Sequence, residues 1–310
     1  MDVSENISNF FILGFPGLSS QYYGPASALL FLIYLAIAAG NVFILVFVML
    51  EKCLQKPTYL VFCHLALNDL MFGTVTLPKI IAKYWFGDGI ITFYGCFAQM
   101  FFVHYLGSVI SFMLLVMALD RFIAICIPLR YPILITNKSI SVMCGFAWFI
   151  PLPWMIGIVL QLVALPFCKT NVIPQCYCDH ISISNQACGE HVRGAVVLAL
   201  CVAMFFLLLP LAFILFSYIS IIVVITKMSN VSGRQKTLST CTPQIFITCL
   251  FYLPRCFVYL ANAVGFSFSL DIRIVLILLY SLLPAAVNPL IYCLKTLDIK
   301  QLLMKRLRKN

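Results

Sequence analysis

Charged side chains are scarce in this sequence. Aspartate, glutamate, lysine and arginine make up 10% of its 310 residues, while 63% are hydrophobic. Soluble domains contain about 25% charged and about 45–50% apolar residues, and a core of this size could not bury the apolar excess. The same numbers exclude disordered, collagen-like and coiled-coil chains. With a mean hydropathy of +1.05, the composition is that of an integral membrane protein.

Patterns that carry catalysis or metal binding are also missing. The sequence contains no CxxC pair, no His/Cys cluster with zinc spacing, no nucleophile elbow and no phosphate-binding loop. No two carboxylates face each other within an apolar window, so we expect no enzyme, no cofactor and no metal. The formal charge of +10 follows from membrane topology and gives no support for a nucleic-acid partner.

Seven long apolar windows run through the chain. A helix needs about 20 apolar residues to cross the bilayer, and the alternating ten-residue segments of a membrane β-barrel do not occur. The windows cover about 26–50, 58–83, 96–127, 140–163, 194–226, 240–263 and 271–294. We therefore predict an all-α membrane protein: an N-terminal segment over 1–25, a seven-helix bundle over 26–294 and a tail over 295–310.

The basic residues near the ends of these windows indicate the orientation. With the N-terminus outside, the cytoplasmic segments hold 13 lysine and arginine residues and the outer segments hold 5. In this topology the sequon Asn6-Ile7-Ser8 faces the secretory lumen, where Asn6 is a candidate for glycosylation. The first 25 residues do not resemble a cleavable signal, because they begin with acidic Asp2 and Glu5.

The C-terminal segment alternates apolar and basic residues. We predict an amphipathic helix lying on the anionic lipid of the inner leaflet, with a frayed basic tail as the alternative. Its apolar residues are Leu297, Ile299, Leu302, Leu303 and Leu307, and its basic residues are Lys300, Lys305, Arg306, Arg308 and Lys309. The third inner loop, about 227–236, is short and basic, which suits a protein contact better than a separate domain.

Polar residues at membrane depth are costly, about 2.5–3.5 kcal/mol each on insertion scales, and therefore informative. Asn41, Asp69 and Asn288 lie in the middle of the first, second and seventh windows. Two interpretations stay open: a hydrogen-bonded knot that joins helices, or a switch that binds water or an ion.

Two further motifs stand near the inner ends of helices. Asp120 and Arg121 form an acid–base pair at the end of the third window, where they can neutralise each other and separate on activation. In the seventh window, Pro289 removes a backbone hydrogen bond, and we expect Asn288 to satisfy the freed groups.

Several stretches together resemble odorant receptors of the rhodopsin-like G-protein-coupled receptor superfamily. The match runs over nearly the whole chain and is carried by Leu54–Tyr59, Leu65–Asp69, Met117–Cys126, Ser217-Tyr218, Lys236–Cys241 and Pro284–Tyr292. Cys178-Asp179-His180 resembles the fish-type class, whose ligands are often water-soluble. The resemblance implies a seven-helix fold, a small-molecule odorant and a heterotrimeric G-protein. It also implies the stimulatory olfactory G-protein, cyclic AMP and the plasma membrane of sensory-neuron cilia.

The resemblance assigns roles to individual residues. The residues implied in activation and G-protein coupling are Asp120, Arg121, Tyr131, Tyr218, Asn288, Pro289 and Tyr292. Five cysteines lie on the predicted outer side, where disulfides can form, and their spacing alone allows several pairings. The resemblance pairs Cys96 with Cys178 and Cys168 with Cys188, leaving Cys176 over. Ile110 replaces an acidic residue of many odorant receptors, which argues against a sodium ion near Asp69.

Helix geometry suggests where a ligand binds. His104 and Arg255 each lie about 12 Å below the outer end of their helix. The polar stripes of these two helices therefore lie at matching depth, and the resemblance implies that both helices flank the pocket. An arginine at this depth favours an anionic ligand; alternatively it extends to the surface or pairs with Glu190 or Asp271. His104 contacts a ligand or a neighbouring helix. The predicted ligand contacts are His104, Tyr105, Ser108, Val202, Phe206, Tyr252, Arg255, Tyr259 and Ser281, on helices three, five, six and seven.

A channel or transporter for a small solute is the alternative from another functional class. Transporters often contain paired broken helices in repeated halves, and the sequence contains no such repeat. The Asp120-Arg121 pair has no evident role in transport. Ligand-dependent current without a G-protein would favour this alternative.

Overall fold

Among the residues that the computed structural model describes, seven helices are long and apolar enough to cross a membrane, which confirms the predicted fold class. The structure describes residues 8–263, 266, 268–295 and 297–307, so Asn6 lies outside the described residues. The membrane helices are α1 (Tyr23–Leu50), α2 (Pro57–Phe86), α3 (Phe93–Cys126), α5 (Asn137–Phe149) with α6 (Pro151–Val163), α8 (His191–Lys227), α9 (Val231–Ala263) and α10 (Leu270–Lys295). Short helices are α4 (Tyr131–Leu134), α7 (His180–Ser184) and α11 (Leu297–Leu307).

The fourth span consists of two helices. α5 ends at Phe149 and α6 begins with Pro151 at its first position, where the missing N–H of proline is tolerated. At the start of the span, Thr136 caps α5 by accepting a hydrogen bond from the backbone N–H of Ser139 at 3.1 Å.

The third inner loop is shorter than the sequence suggests. The predicted sixth window starts at about 240, whereas α9 already begins at Val231, and the three residues 228–230 alone separate it from α8. Hydropathy marks the part of a helix that lies in lipid, so it gives no signal for polar turns that continue into the cytoplasm.

The N-terminal segment forms part of a small outer sheet. β1 (Asn9–Ile12) lies between β2 (Ile90–Thr92) and β3 (Val172–Ile173), antiparallel to the first and parallel to the second. Phe10 is fully buried and packs against the rings of Phe93 and Phe167. The segment before α1 is therefore bound to the second outer loop, which joins α6 to α8 and contains β3.

Asn41 and Pro289 join the first and seventh spans. A Cβ atom on Gly40 would lie 3.1 Å from the Pro289 ring, so glycine allows the helices to approach closely here. Because Pro289 has no N–H, the carbonyl of Ala285 lacks its helical donor. The Asn41 amide donates to that carbonyl at 3.0 Å. Asn288, which we expected in this role, instead donates to Asp69 at 2.8 Å.

Candidate functional site

A cavity of about 220 Å³ lies in the outer half of the bundle. Its wall is built by α3, α6, α7, α8 and α9. Of the predicted ligand contacts, His104, Ser108, Phe206 and Arg255 lie in this wall. His104 and Ser108 of the third helix and Arg255 of the sixth therefore meet at one cavity.

Arg255 is the cationic group of this wall. Its guanidinium carbon lies 3.9 Å from the centre of the Phe251 ring and 4.7 Å from that of Tyr280. Its Nη1 donates to the Phe251 carbonyl at 3.0 Å. These contacts hold the planar group against two aromatic faces, an arrangement that favours arginine over lysine.

Two histidines connect the cavity to the second outer loop. The backbone N–H of His180 donates to His104 Nε2 at 3.2 Å. The proton of neutral His104 is therefore on Nδ1. Burial lowers the pKa of His180 to about 4, so its imidazole is neutral at pH 7 and offers one donor and one acceptor. His180 Nε2 is buried without a protein hydrogen-bond partner among the described residues.

Four other predicted contacts lie outside this wall. Tyr105 donates to the Trp148 carbonyl at 2.8 Å and so faces the fourth span. Tyr252 donates to Ser111 at 3.2 Å, directly beside the cavity. Ser281 bonds Tyr177 of the outer loop at 3.3 Å. Val202 is buried on α8, and the Tyr259 side chain lies outside the described part of the chain.

The predicted set of ligand contacts did not include the fourth span. In the structure, α6 of this span contributes Met155 and Ile158 to the cavity wall.

Two disulfides order the outer loop: the first ties it to the bundle and the second closes a bridge within the loop. Cys96 at the start of α3 is joined to Cys178, and Cys168 is joined to Cys188, as the resemblance implies. Cys176 is buried as a free thiol, and burial raises its pKa to about 12. It is therefore protonated and unreactive at physiological pH.

At the inner end, Asp120 and Arg121 form an ion pair with 3.2 Å between Oδ2 and Nη2. Asp120 also accepts hydrogen bonds from Tyr131 at 3.0 Å and from Thr58 at 3.3 Å. Burial and the charge of Asp120 raise the pKa of Tyr131, so its hydroxyl stays protonated and donates. The Asp120 side chain is 1% exposed and that of Arg121 is 21% exposed, so the cation is the accessible member.

Gln244 connects Arg121 to the sixth span. With its amide oxygen toward Arg121 Nε and its nitrogen toward the Met117 carbonyl, it makes two hydrogen bonds of 3.3 Å each. Gln244 lies in α9, whereas Arg121 and Met117 lie in α3. These bonds hold the inner ends of the two helices together and would be lost if α9 moved outward.

A buried polar cluster lies between these two regions. Asp69 accepts from Asn288, and Tyr292 is fully buried, with its ring stacked on Phe62 at 4.2 Å between centres. Several polar atoms of this group have no protein partner among the described residues, namely Asn41 Oδ1, Asn68 Oδ1 and Nδ2, Asp69 Oδ1, Asn288 Oδ1 and Tyr292 Oη. The cluster both joins helices and retains acceptors for water. Ile110 is buried and supplies no second carboxylate.

Sequence reasoning missed three polar residues of these sites. Thr58 and His180 lie in stretches that carry the family resemblance. The motifs therefore marked both residues, but they did not show that Thr58 contacts Asp120 and Arg121 or that His180 lines the cavity. Gln244 has no local signal, because a single glutamine in an inner helix end is ordinarily exposed; here it is buried.

Seven membrane helices around an outer cavity, with an acid–base pair at the inner end of the third helix, define a rhodopsin-like seven-helix fold. The crystal structure of squid rhodopsin superposes with a TM-score of 0.68 at 16% identity, covering 92% of this chain and 85% of that one.

A family model described as olfactory receptor matches residues 30–310. Olfactory receptor 2AT4 of Homo sapiens is 32% identical over 296 residues, covering 96% of this chain and 92% of the relative. Olfactory receptor 52H1 of Homo sapiens is 33% identical over 297 residues, covering 96% and 94%. The chain belongs to the olfactory receptor family. It is a multi-pass membrane receptor that responds to odorants through a G-protein, and it is not an enzyme.

Proposed function

We propose that the receptor recognises a small, water-soluble anionic odorant, with Arg255 as its counter-ion. The observation that carries this proposal is a guanidinium in the wall of the outer cavity, held by two aromatic rings. A carboxylate in this cavity can accept two parallel N–H bonds from such a group. His104, Ser108 and His180 supply further polar contacts in the same wall. Membership of the fish-type class stays a prediction.

The test compares acids with their uncharged analogues. Straight-chain carboxylates from acetate to dodecanoate, and the corresponding primary amides, are applied to cells that carry the receptor. We expect Arg255→Ala to reduce the potency of active carboxylates about 10- to 100-fold, since a hydrogen bond to a charged group contributes about 1.5–3 kcal/mol. The amides should lose little, and Arg255→Lys should recover part of the response.

Arg193→Ala is the matched control, because it removes an exposed basic residue near the outer end of α8. Surface labelling of all variants separates binding from folding. If Arg255→Ala and wild type give the same dose–response curves for every active acid, Arg255 is not part of the site.

On the inner side, we propose that Arg121 and Tyr218 receive the stimulatory olfactory G-protein when α9 swings outward, raising cyclic AMP. A ligand that binds the open state more tightly shifts the population toward it. Support comes from the accessible Arg121 cation and from Gln244, which bridges α3 and α9. Tyr131, Asn288, Pro289 and Tyr292 are proposed to take part in the rearrangement. The site of action is proposed to be the ciliary plasma membrane.

Gln244→Leu is expected to raise ligand-independent signalling about fivefold or more. The substitution removes both bonds between α3 and α9, and about 1 kcal/mol less stability of the closed state multiplies the open population by about five. Thr242→Val is the control: this exposed neighbour bonds the Leu238 carbonyl within its own helix at 2.8 Å. Basal nucleotide exchange in purified membranes is the measurement. Equal basal rates for both variants would contradict the bridging role.

We further propose that α11 lies on the inner leaflet. Ile299 is buried and Leu302 half-buried against the bundle, while Lys300 and Lys305 are exposed. This distribution gives one apolar face and one basic face, which suits contact with anionic lipid.

A further inference from the structure

The wall of the outer cavity contains one polar side chain whose hydrogen-bonding capacity the protein leaves unused. Ser108 donates to the His104 carbonyl at 2.9 Å, and Ser111 accepts from Tyr252 at 3.2 Å. Among the wall residues that the structure describes, His180 alone has a buried side-chain polar atom without a hydrogen-bond partner, namely Nε2. Because buried polar groups are nearly always bonded, this imidazole is the group of the wall that most needs a partner.

The backbone around His180 holds this imidazole in place. The Cys96–Cys178 disulfide ties this stretch of the second outer loop to α3, and the backbone N–H of Cys178 donates to Gln99 at 2.8 Å. The backbone N–H of His180 itself donates to His104 at 3.2 Å. The His180 side chain is 6% exposed. The ring is therefore positioned before a ligand enters, which favours selective recognition.

The charges of the wall indicate which ligand group suits this ring. A hydroxyl both donates and accepts, so it can bond a neutral imidazole in either tautomer. A buried ammonium group requires a negative partner, and no acidic side chain lies in the described part of the wall. Asp179, the residue before His180, instead caps α7 by accepting from the backbone N–H of Ser182 at 3.2 Å. A second carboxylate would need a cation besides Arg255. A neutral hydroxyl therefore fits His180 best.

The size of the cavity limits the rest of the ligand. Its volume of about 220 Å³ lies below the range of about 300–1,000 Å³ that holds drug-sized ligands. Arg255 and His180 therefore recognise one small molecule. Between them, Met155, Ala199 and Phe206 supply apolar surface, which suits a short carbon chain.

We propose that the receptor selects a short hydroxy acid, with the carboxylate bound at Arg255 and the hydroxyl bound at the imidazole of His180. This inference rests on the proposed function and adds a second recognition point and a narrower ligand class. Short hydroxy acids are water-soluble, as the proposed odorant is. An acid without the hydroxyl leaves His180 without a ligand bond, and we expect it to be about tenfold less potent.

The experiment compares each acid with its hydroxylated form on receptor in lipid vesicles with its G-protein. The probes are butyrate with 2-, 3- and 4-hydroxybutyrate, and hexanoate with 6-hydroxyhexanoate. At least one hydroxy acid should be about tenfold more potent than its parent acid. His180→Phe, which keeps a ring without nitrogen atoms, should lower the potency of that hydroxy acid about tenfold and change the parent acid less than about twofold. His180→Leu should act in the same way. Both variants keep the backbone N–H that bonds His104.

Ser184→Ala is the matched control. Ser184 lies on the same short helix, is buried, bonds the Ile181 carbonyl at 3.0 Å and is not part of the wall. This variant should keep the preference of wild type for the hydroxy acid, and surface labelling checks the folding of all variants.

Three results would overturn the inference: no hydroxy acid exceeds its parent acid on wild type, both His180 variants keep the preference, or Ser184→Ala loses it as they do. If Arg255→Ala still weakens every active acid in such a case, the proposed function stands without a hydroxyl contact. If Arg255→Ala leaves all acids unchanged, the anionic ligand class itself is wrong, and the inference fails with it.

Discussion

Arg121→Ala is expected to abolish ligand-dependent nucleotide exchange on the G-protein while ligand binding in the outer cavity persists. The Arg121 guanidinium is held by Asp120 within α3, by Thr58 of α2 and by Gln244 of α9. Once α9 moves away, the bond to Gln244 is lost and N–H donors become available at the inner surface. A planar guanidinium can then bond acceptors of an incoming protein, and alanine offers no donor.

Two variants separate this role from loss of charge. Arg121→Lys keeps the positive charge but not the planar fork, so we expect only partial exchange activity. Arg130→Ala removes an exposed basic residue from the same side of the membrane and should retain most of it. Exchange is measured with purified receptor and G-protein, and binding with a labelled agonist. Wild-type exchange by Arg121→Ala would contradict the assigned coupling site.

Cys178→Ser is expected to have the second large effect, loss of properly folded receptor from the cell surface. The Cys96–Cys178 bond joins residues 82 apart in sequence, and removing a native disulfide typically costs about 2–5 kcal/mol. The loss also frees the loop that carries His180 into the cavity wall. We therefore expect agonist binding to be impaired even in molecules that reach the surface.

The partner residue and a neighbouring thiol provide the controls. Cys96→Ser should match Cys178→Ser, and the double variant should be no worse than either, because all three lack one bond. Cys176→Ser changes a buried thiol two residues away that belongs to neither disulfide, so its effect should be smaller. Thermal unfolding monitored by surface antibody binding and radioligand binding is the measurement. A Cys178→Ser receptor as stable as Cys176→Ser would contradict the structural role of the bond.

Comparison of sequence and structure separates local from long-range information. The spans follow from the length of apolar windows, because each membrane helix satisfies its own backbone hydrogen bonds. Arg255 stands out for a similar reason: a cation at membrane depth is unfavourable without a partner, so its position alone indicates a site. The seven-helix class was predictable from these windows, whereas the family was predictable from motifs such as Met117–Cys126 and Pro284–Tyr292.

The hydrogen-bond partners of the polar residues inside the bundle could not be predicted from the sequence. Asn41 bonds Ala285 across 244 residues, and neither residue type specifies the other. Gln244 and Thr58 reach Arg121 only because three helices meet at the inner surface. The α6 wall of the cavity and the strand β1 depend likewise on how whole elements pack.

Chain composition and spacing thus determined that seven helices cross a membrane, which end faces the cytoplasm, and which charged residues lie at unusual depth. Those properties depend on transfer of individual segments from water to lipid, and each segment contributes independently. Only the tertiary structure decided which helices form the cavity and which amide satisfies the carbonyl freed by Pro289. These depend on pairwise packing between distant segments, for which hydropathy contains no information.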